Sequence, residues 1–241
     1  MDRRTTEGPL LIRLCGRWIE YRFARRRRRT IGITVDASGL AVSAPWRAPW
    51  RDIEAFLHHK QGWIVAKLDE WARLPRPPVV RGASGESLPL FGTPVTLEVC
   101  TGRRAVRREP QRLLVSAPAP GRAAKILVGW LKAQALEALA PRAGHYAARL
   151  DVAPPLVSLS SARTQWGVCT QAGAIRLSWR LVHLDPSLAD YVVAHEVAHL
   201  IELNHSKRFW SLLARLYPEW REARERLELA GASLPIIQGA P

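Results

Sequence analysis

The chain has 241 residues, 47% of them hydrophobic, and carries 36 Lys and Arg against 21 Asp and Glu, a formal charge of +15. This length and apolar share support one large domain or two small ones with real cores and exclude a disordered chain. No stretch approaches the roughly 18 consecutive apolar residues of a membrane helix, and the N-terminus lacks the apolar run of a signal peptide. Cys15, Cys100 and Cys169 are widely spaced and odd in number, which excludes a disulfide framework and leads to the expectation of a cytoplasmic, reducing compartment with no membrane contact.

The charge is uneven: residues 1–110 hold 21 basic and 11 acidic side chains, or +10, and the remainder contribute +5. A surface of this kind attracts anions, so weak nucleic-acid binding through the basic N-terminal section is one partner to consider. Its densest cluster, Arg25 to Arg29, runs into the alternating stretch from Thr30 to Val35, so part of it is expected to open that strand with arginines on alternate faces. No known nucleic-acid motif accompanies it.

In chain order, residues 18–23, 31–35 and 40–44 read as strands. A helix opens at Trp50-Arg51-Asp52 and continues to about Ala72, its core face carried by Ile53, Phe56, Leu57, Trp63, Ile64 and Leu68. His58 and His59 lie on that helix without acidic or cysteine neighbours at ligand spacing and read as surface or packing residues. The proline-rich stretch 74–78 is a stiff linker. Short β segments follow at 87–91, 94–100 and 112–116. A second proline-rich break, 117–121, precedes a long helix over 122–150 that Pro141 must kink or divide. The predicted organisation is therefore a β-rich basic N-terminal section, 1–119, and a helical section, 120–241. Strands at 165–169 and 175–184 flank the turn Gln171-Ala172-Gly173 as a β-hairpin, and Cys169 within it reads as a buried small hydrophobe. Asp185-Pro186 then caps and starts the next helix.

That helix carries the one dense cluster of ligating and acid-base side chains, His195-Glu196-x-x-His199 with His205 six residues on. Four residues on an α-helix turn through about 400°, so His195 and His199 stand on one face and can grip one ion. Glu196 is offset sideways, as suits a carboxylate that is no ligand but reaches water in the open position of a tetrahedral zinc site.

For His205 to be the third ligand the helix has to stop after His199, because six further helical residues would carry His205 about 240° away. Asn204 can close the helix in a left-handed conformation, and Ser206 can cap the next one. Glu219 and Glu222 are rival third ligands of the thermolysin kind, ranked below His205. Met1 is the sole methionine, so there is no Met-turn and the chain is no ordinary metzincin. His183, Arg163 and Tyr191 are candidates for stabilising an oxyanion, Tyr191 lying one turn before His195.

The runs RTQWGVCT (163–170), IRLSWRLVHLDP (175–186) and HEVAHLIELNHSKRFW (195–210), with GESLPLFGTPVTLEV (85–99) further back, resemble the YgjP-like family of zinc metallopeptidases and, more distantly, SprT-like proteases. Val168 and Ser178 depart from the residues usual in that family. The resemblance implies one Zn2+ per chain on His195, His199 and His205, with Glu196 as the catalytic carboxylate and a peptide or protein as substrate. The expected fold is α+β, a basic β-rich N-terminal section with one helix followed by a zincin-like helical section with a β-hairpin. A nucleic-acid-associated, SprT-like role is the alternative.

Overall fold

In the computed structural model, residues 9–36, 38–73, 77–119, 121–163 and 165–238 are described. The chain forms two compact units, Met1–Arg76 and Pro77–Pro241. The linker residues 74–76 and Pro120 of the second proline-rich break lie outside the described residues, as does Ala37 in the turn before the third predicted strand.

The first unit is a four-stranded sheet with two helices on one face. Its strands are β1 (Leu10–Leu14), β2 (Arg17–Arg26), β3 (Gly32–Asp36) and β4 (Gly39–Pro45), in the order β1-β2-β4-β3. β1 and β2 pair antiparallel around Cys15 and Gly16, both at positive φ (47° and 79°), as a two-residue hairpin turn demands. β2 runs parallel to β4, and β3 antiparallel to it. Alternation along β2 turns Ile19, Tyr21 and Phe23 inward and Trp18, Glu20 and Arg22 outward. The predicted single helix is two, α1 (Trp50–His59) and α2 (Gln61–Arg73), separated at Lys60 beside Gly62, the poorest helix former in the stretch. Ile53, Leu57 and Ile64 from these helices complete a core with Leu14, Leu40 and Val42.

The arginine run closes β2 instead of opening β3. Arg25 turns to the helical side, where its guanidinium donates to the carbonyls of Pro45, Trp46 and Ala48 at 2.8, 3.2 and 2.6 Å and lies 5.5 Å from the Phe23 and Trp50 rings. Bonds to three carbonyls fix the end of the strand. Arg26 points the other way, and Arg28 folds back across Gly32 to bond the Ser43 hydroxyl, a path that any Cβ at position 32 would block.

The second unit begins with β5 (Val79–Val80), β6 (Ser87–Leu90), β7 (Thr93–Thr101), β8 (Ala105–Arg108) and β9 (Arg112–Ala117). The sheet β6-β7-β9-β8 repeats the pairing scheme of the first unit: a hairpin around two positive-φ residues, here Phe91 and Gly92, then a parallel and an antiparallel pair. Its inner face, Leu88, Leu90, Val95, Leu97, Leu113 and Val115, shares one core with the helices that follow. That shared core is why the units divide at 76/77 and not at 119/120. The 26-residue helix α3 (Ala123–Ala148) is not divided at Pro141, and the Arg142 side chain donates to the Ala138 carbonyl at 2.6 Å in the turn that proline loosens.

Strands β10 (Val157–Ser160), β11 (Gly167–Cys169) and β12 (Ile175–Ser178) form a sheet of order β10-β12-β11, which leaves β11 at its edge. The strand predicted to run to Leu184 stops at Ser178, whose hydroxyl caps a 3-10 turn over Trp179–His183 by accepting the Arg180 N–H. Helix α4 (Pro186–Ala198) starts as expected, Asp185 accepting from the Ser187 N–H at 2.9 Å with Pro186 in the first position. Helices α5 (Lys207–Leu216) and α6 (Trp220–Ala232) follow, and β13 (Ile236–Ile237) returns to pair parallel with β5. α4 packs against α3, α5, α6, β11 and β12 and is buried on nearly every side. The fold is α+β, and among the described residues no helix is long and apolar enough to cross a membrane.

Candidate metal centre

α4 places His195 in its last turn and ends at Ala198, with His199 as the capping residue. The chain then leaves the helix through tight bonds, Leu200 N–H to the Val197 carbonyl and Ile201 N–H to the Ala198 carbonyl. Asn204 does not adopt the expected left-handed conformation, since among the described residues the non-glycine positions with positive φ are Cys15, Phe91 and Asp151. The turn is held instead by the His199 Nδ1–H, which donates to the Glu202 carbonyl at 2.9 Å. Ser206 caps α5 by accepting the Phe209 N–H at 3.3 Å, as its sequence position suggests.

This path brings three imidazoles together. One ring nitrogen from each of His195, His199 and His205 lies within 4.8 Å of the others, and the Nε2 atoms of His195 and His205 are 3.0 Å apart. The Glu202 carbonyl fixes the tautomer of His199, with its proton on Nδ1 and its lone pair on Nε2, as carbonyl partners do for metal-ligating histidines. Burial, followed by the nearby His199, His205 and Arg224, lowers the His195 pKa to about 3, and burial lowers that of His205. The His195 ring is therefore neutral and carries a donor lone pair at ordinary pH. Three imidazole nitrogens at this separation, one tautomer already fixed, fit a borderline metal ion such as zinc.

Aromatic side chains of α5 orient the rings. Phe209 stacks on His199 with centroids 4.4 Å apart, and Trp210 stacks on His205 at 5.5 Å while its Nε1–H donates to the His205 carbonyl at 3.2 Å. The rival glutamates lie elsewhere: Glu219 is the residue before α6, and Glu222 faces Arg226 at 4.0 Å. Among the described residues the ligating cluster consists of the three histidines.

Glu196 is 6% exposed, and desolvation raises its carboxyl pKa to about 7 against a lowering by the Cys169 backbone N–H, which donates to it. Strand β11 passes so close that a Cβ at Gly167 would sit 2.5 Å from Glu196 Cγ. A cleft of ≈ 710 Å³ opens here, with Gln165, Trp166 and Gly167 on one wall, Tyr191, Val192, His195 and Glu196 on the helix side, and His205, Trp210, Arg224 and Leu227 opposite. A smaller hollow of ≈ 260 Å³ reaches the same imidazoles past Val168, Cys169 and Leu203. Cys169 is partly buried there and packs against the core, burial raising its thiol pKa.

Of the three oxyanion candidates only Tyr191 borders the cleft. His183 is 2% exposed and donates from Nδ1 to the Pro89 carbonyl at 2.7 Å, tying the 3-10 turn to β6, and burial lowers its pKa to about 4. Arg163 is exposed and is not among the residues that line the cleft. Sequence reasoning missed the packing of Gly167 on Glu196, the roles of Trp166 and Trp210 as walls, and Arg224. The adjacent pair Trp166-Gly167 was the available signal, since a glycine inside a strand marks a close approach.

No curated protein and no solved structure matches the chain. A family model, the YgjP-like metallopeptidase domain, matches residues 29–230 and so spans the described metal centre together with most of both units. The chain thus belongs to the YgjP-like metallopeptidase domain family.

Proposed function

We propose that the protein is a zinc-dependent metallopeptidase in which His195, His199 and His205 hold one zinc ion per chain and Glu196 is the general base. The observation that carries this reading is a desolvated carboxylate on the helix residue beside the first of three converging imidazoles. Zinc bound there supplies Lewis acidity, which makes water nucleophilic near neutral pH and polarises a carbonyl.

The protein's own groups supply the rest. Glu196, with its pKa near 7, takes the proton of the attacking water and returns it to the leaving amine. Desolvation by Gly167 and the surrounding core keeps its basicity high, and the Cys169 N–H holds its orientation. Apart from the Cys169 N–H given to Glu196, the outer edge of β11 offers main-chain groups to an extended peptide, fixing it beside the cleft by strand addition. Tyr191 packs its ring on His195 and, with burial raising its pKa, keeps a phenolic proton to donate to the developing oxyanion. The substrate is a peptide or protein, and the basic first unit adds only weak, sequence-independent attraction for nucleic acid.

Zinc analysis of the purified protein, coupled to cleavage of a broad peptide library, tests this reading. Glu196→Gln keeps the ligands and nearly the same size, so it retains about one zinc per chain and hydrolyses nothing measurable. Wild-type turnover by the zinc-loaded variant removes Glu196 from the mechanism.

A further inference from the structure

We propose that Arg224 reads a carboxylate of the substrate, either an acidic side chain or a free C-terminus, in the cleft beside the metal centre. This rests on the peptidase reading. Among the described cleft-lining residues Arg224 is the only permanently charged cation and Glu196 the only acid; the others are imidazole, amide, aromatic or apolar. Glu196 is committed to the metal side, which leaves the Arg224 charge for a ligand.

The position of Arg224 is built, not incidental. Arg224, Leu227 and Gly231 recur three and four residues apart on α6 and form one face of that helix. Leu227 lines the cleft, and Gly231 admits Trp166 from the opposite wall, since a Cβ at 231 would lie 2.8 Å from Trp166 Cζ2. The Arg224 guanidinium stands 5.9 Å from the Trp210 ring centroid, and Trp210 stacks on Trp220 at 4.4 Å and on His205. The cation thus stands against the Trp210 wall of the cleft that His205 also lines. Its ion partner Glu228 is 3.8 Å away, beyond hydrogen-bond reach, so that contact does not occupy the fork. The Arg224 side chain is 55% exposed, so its planar fork is open to an incoming ligand and can pair bidentately with a carboxylate.

Peptide pairs that differ only by Glu against Gln at each position, and by free acid against amide at the C-terminus, separate the two carboxylate sources. Binding is read on zinc-loaded Glu196→Gln by anisotropy of a dye-labelled peptide, and turnover on the active enzyme. One class of carboxylate peptide is expected to bind about 10–100-fold more tightly than its neutral twin, the range of a charge-assisted hydrogen bond. Arg224→Gln collapses that ratio toward 1 through KM, Arg224→Lys restores part of it, and Arg224→Glu inverts it in favour of basic peptides. A wild-type ratio near 1, a ratio that survives Arg224→Gln, or an equal fall in kcat for both twins overturns the assignment, the last by giving Arg224 an oxyanion role. Failure to cleave any peptide overturns the peptidase reading and this inference with it, whereas cleavage without carboxylate preference overturns this inference alone.

Discussion

Gly167 and Glu196 are 29 residues apart in sequence, yet the backbone of one lies against the carboxylate stem of the other so closely that a methyl group at 167 would stand 2.5 Å from Cγ and 2.7 Å from Oε1. Glu196 is packed on its other sides, so it has to move if that space is filled. Gly167→Ala is therefore expected to lower kcat/KM by about 100-fold, the scale of a catalytic group displaced by roughly 1 Å, while zinc content stays at the wild-type level. Metal analysis and peptide turnover on the same preparation check this; unchanged turnover would refute the steric argument.

For the metal, His205→Ala is expected to weaken zinc retention by more than the ~10–100-fold typical of a lost supporting contact. Trp210→Ala, which removes the ring stacked on His205 and its Nε1–H bond to the His205 carbonyl but no ligand, should fall within that range. Competition with a zinc chelator ranks the variants. Full zinc in His205→Ala together with loss in Glu219→Ala or Glu222→Ala would transfer the third ligand to α6.

His183 gives the second unit a pH dependence that does not need the metal. Its pKa is about 4 in the fold against 6.5 when free, so the folded state disfavours the protonated ring. Stability is complete above about pH 6.5 and declines as pH falls toward about 4, by ~3 kcal/mol for this gap. His183→Gln, which keeps a donor for the Pro89 carbonyl, should flatten the loss between those limits in urea titrations of metal-stripped protein. An identical pH profile for variant and wild type would assign the loss to other groups.

The arginine run divides into two roles. Arg25→Gln gives up bonds to three carbonyls and should destabilise the first unit by ~1–3 kcal/mol. Replacing Arg22, Arg26 and Arg28 by Gln should leave stability within ~0.5 kcal/mol and lower the slope of log affinity against log salt for single-stranded oligonucleotides by about 2. Tight binding at physiological salt, abolished by these three changes and accompanied by DNA-stimulated cleavage, would favour a SprT-like role.

The convergence of the three histidines was readable because its information is local. Two histidines four residues apart share a helix face under any tertiary fold, and the requirement that the helix stop followed from the position of His205 alone. The means of stopping it was not readable, because the His199–Glu202 bond that replaces a left-handed Asn204 depends on ring orientations set by Phe209. Contacts far apart in sequence stayed hidden for the same reason: Trp166 on Gly231, Gly167 on Glu196 and β5 on β13 pair residues by topology, not by spacing. The boundary at 76/77 was obscured because both proline-rich breaks look alike in sequence, and only the shared core of β6–β9 and α3 distinguishes them.

The enclosure of α4 on nearly every side has a consequence for the life history of the metal. A helix anchored by Leu188, Val192, Val193 and Val197 in the main core holds its shape without help from an ion, unlike a zinc finger, whose chain is unfolded until the metal arrives. If the three histidines hold zinc as proposed, ion capture would spend little of its free energy on ordering the polypeptide. Stripping the ion should then leave a folded, inactive form that regains activity on adding zinc without passing through a denatured state.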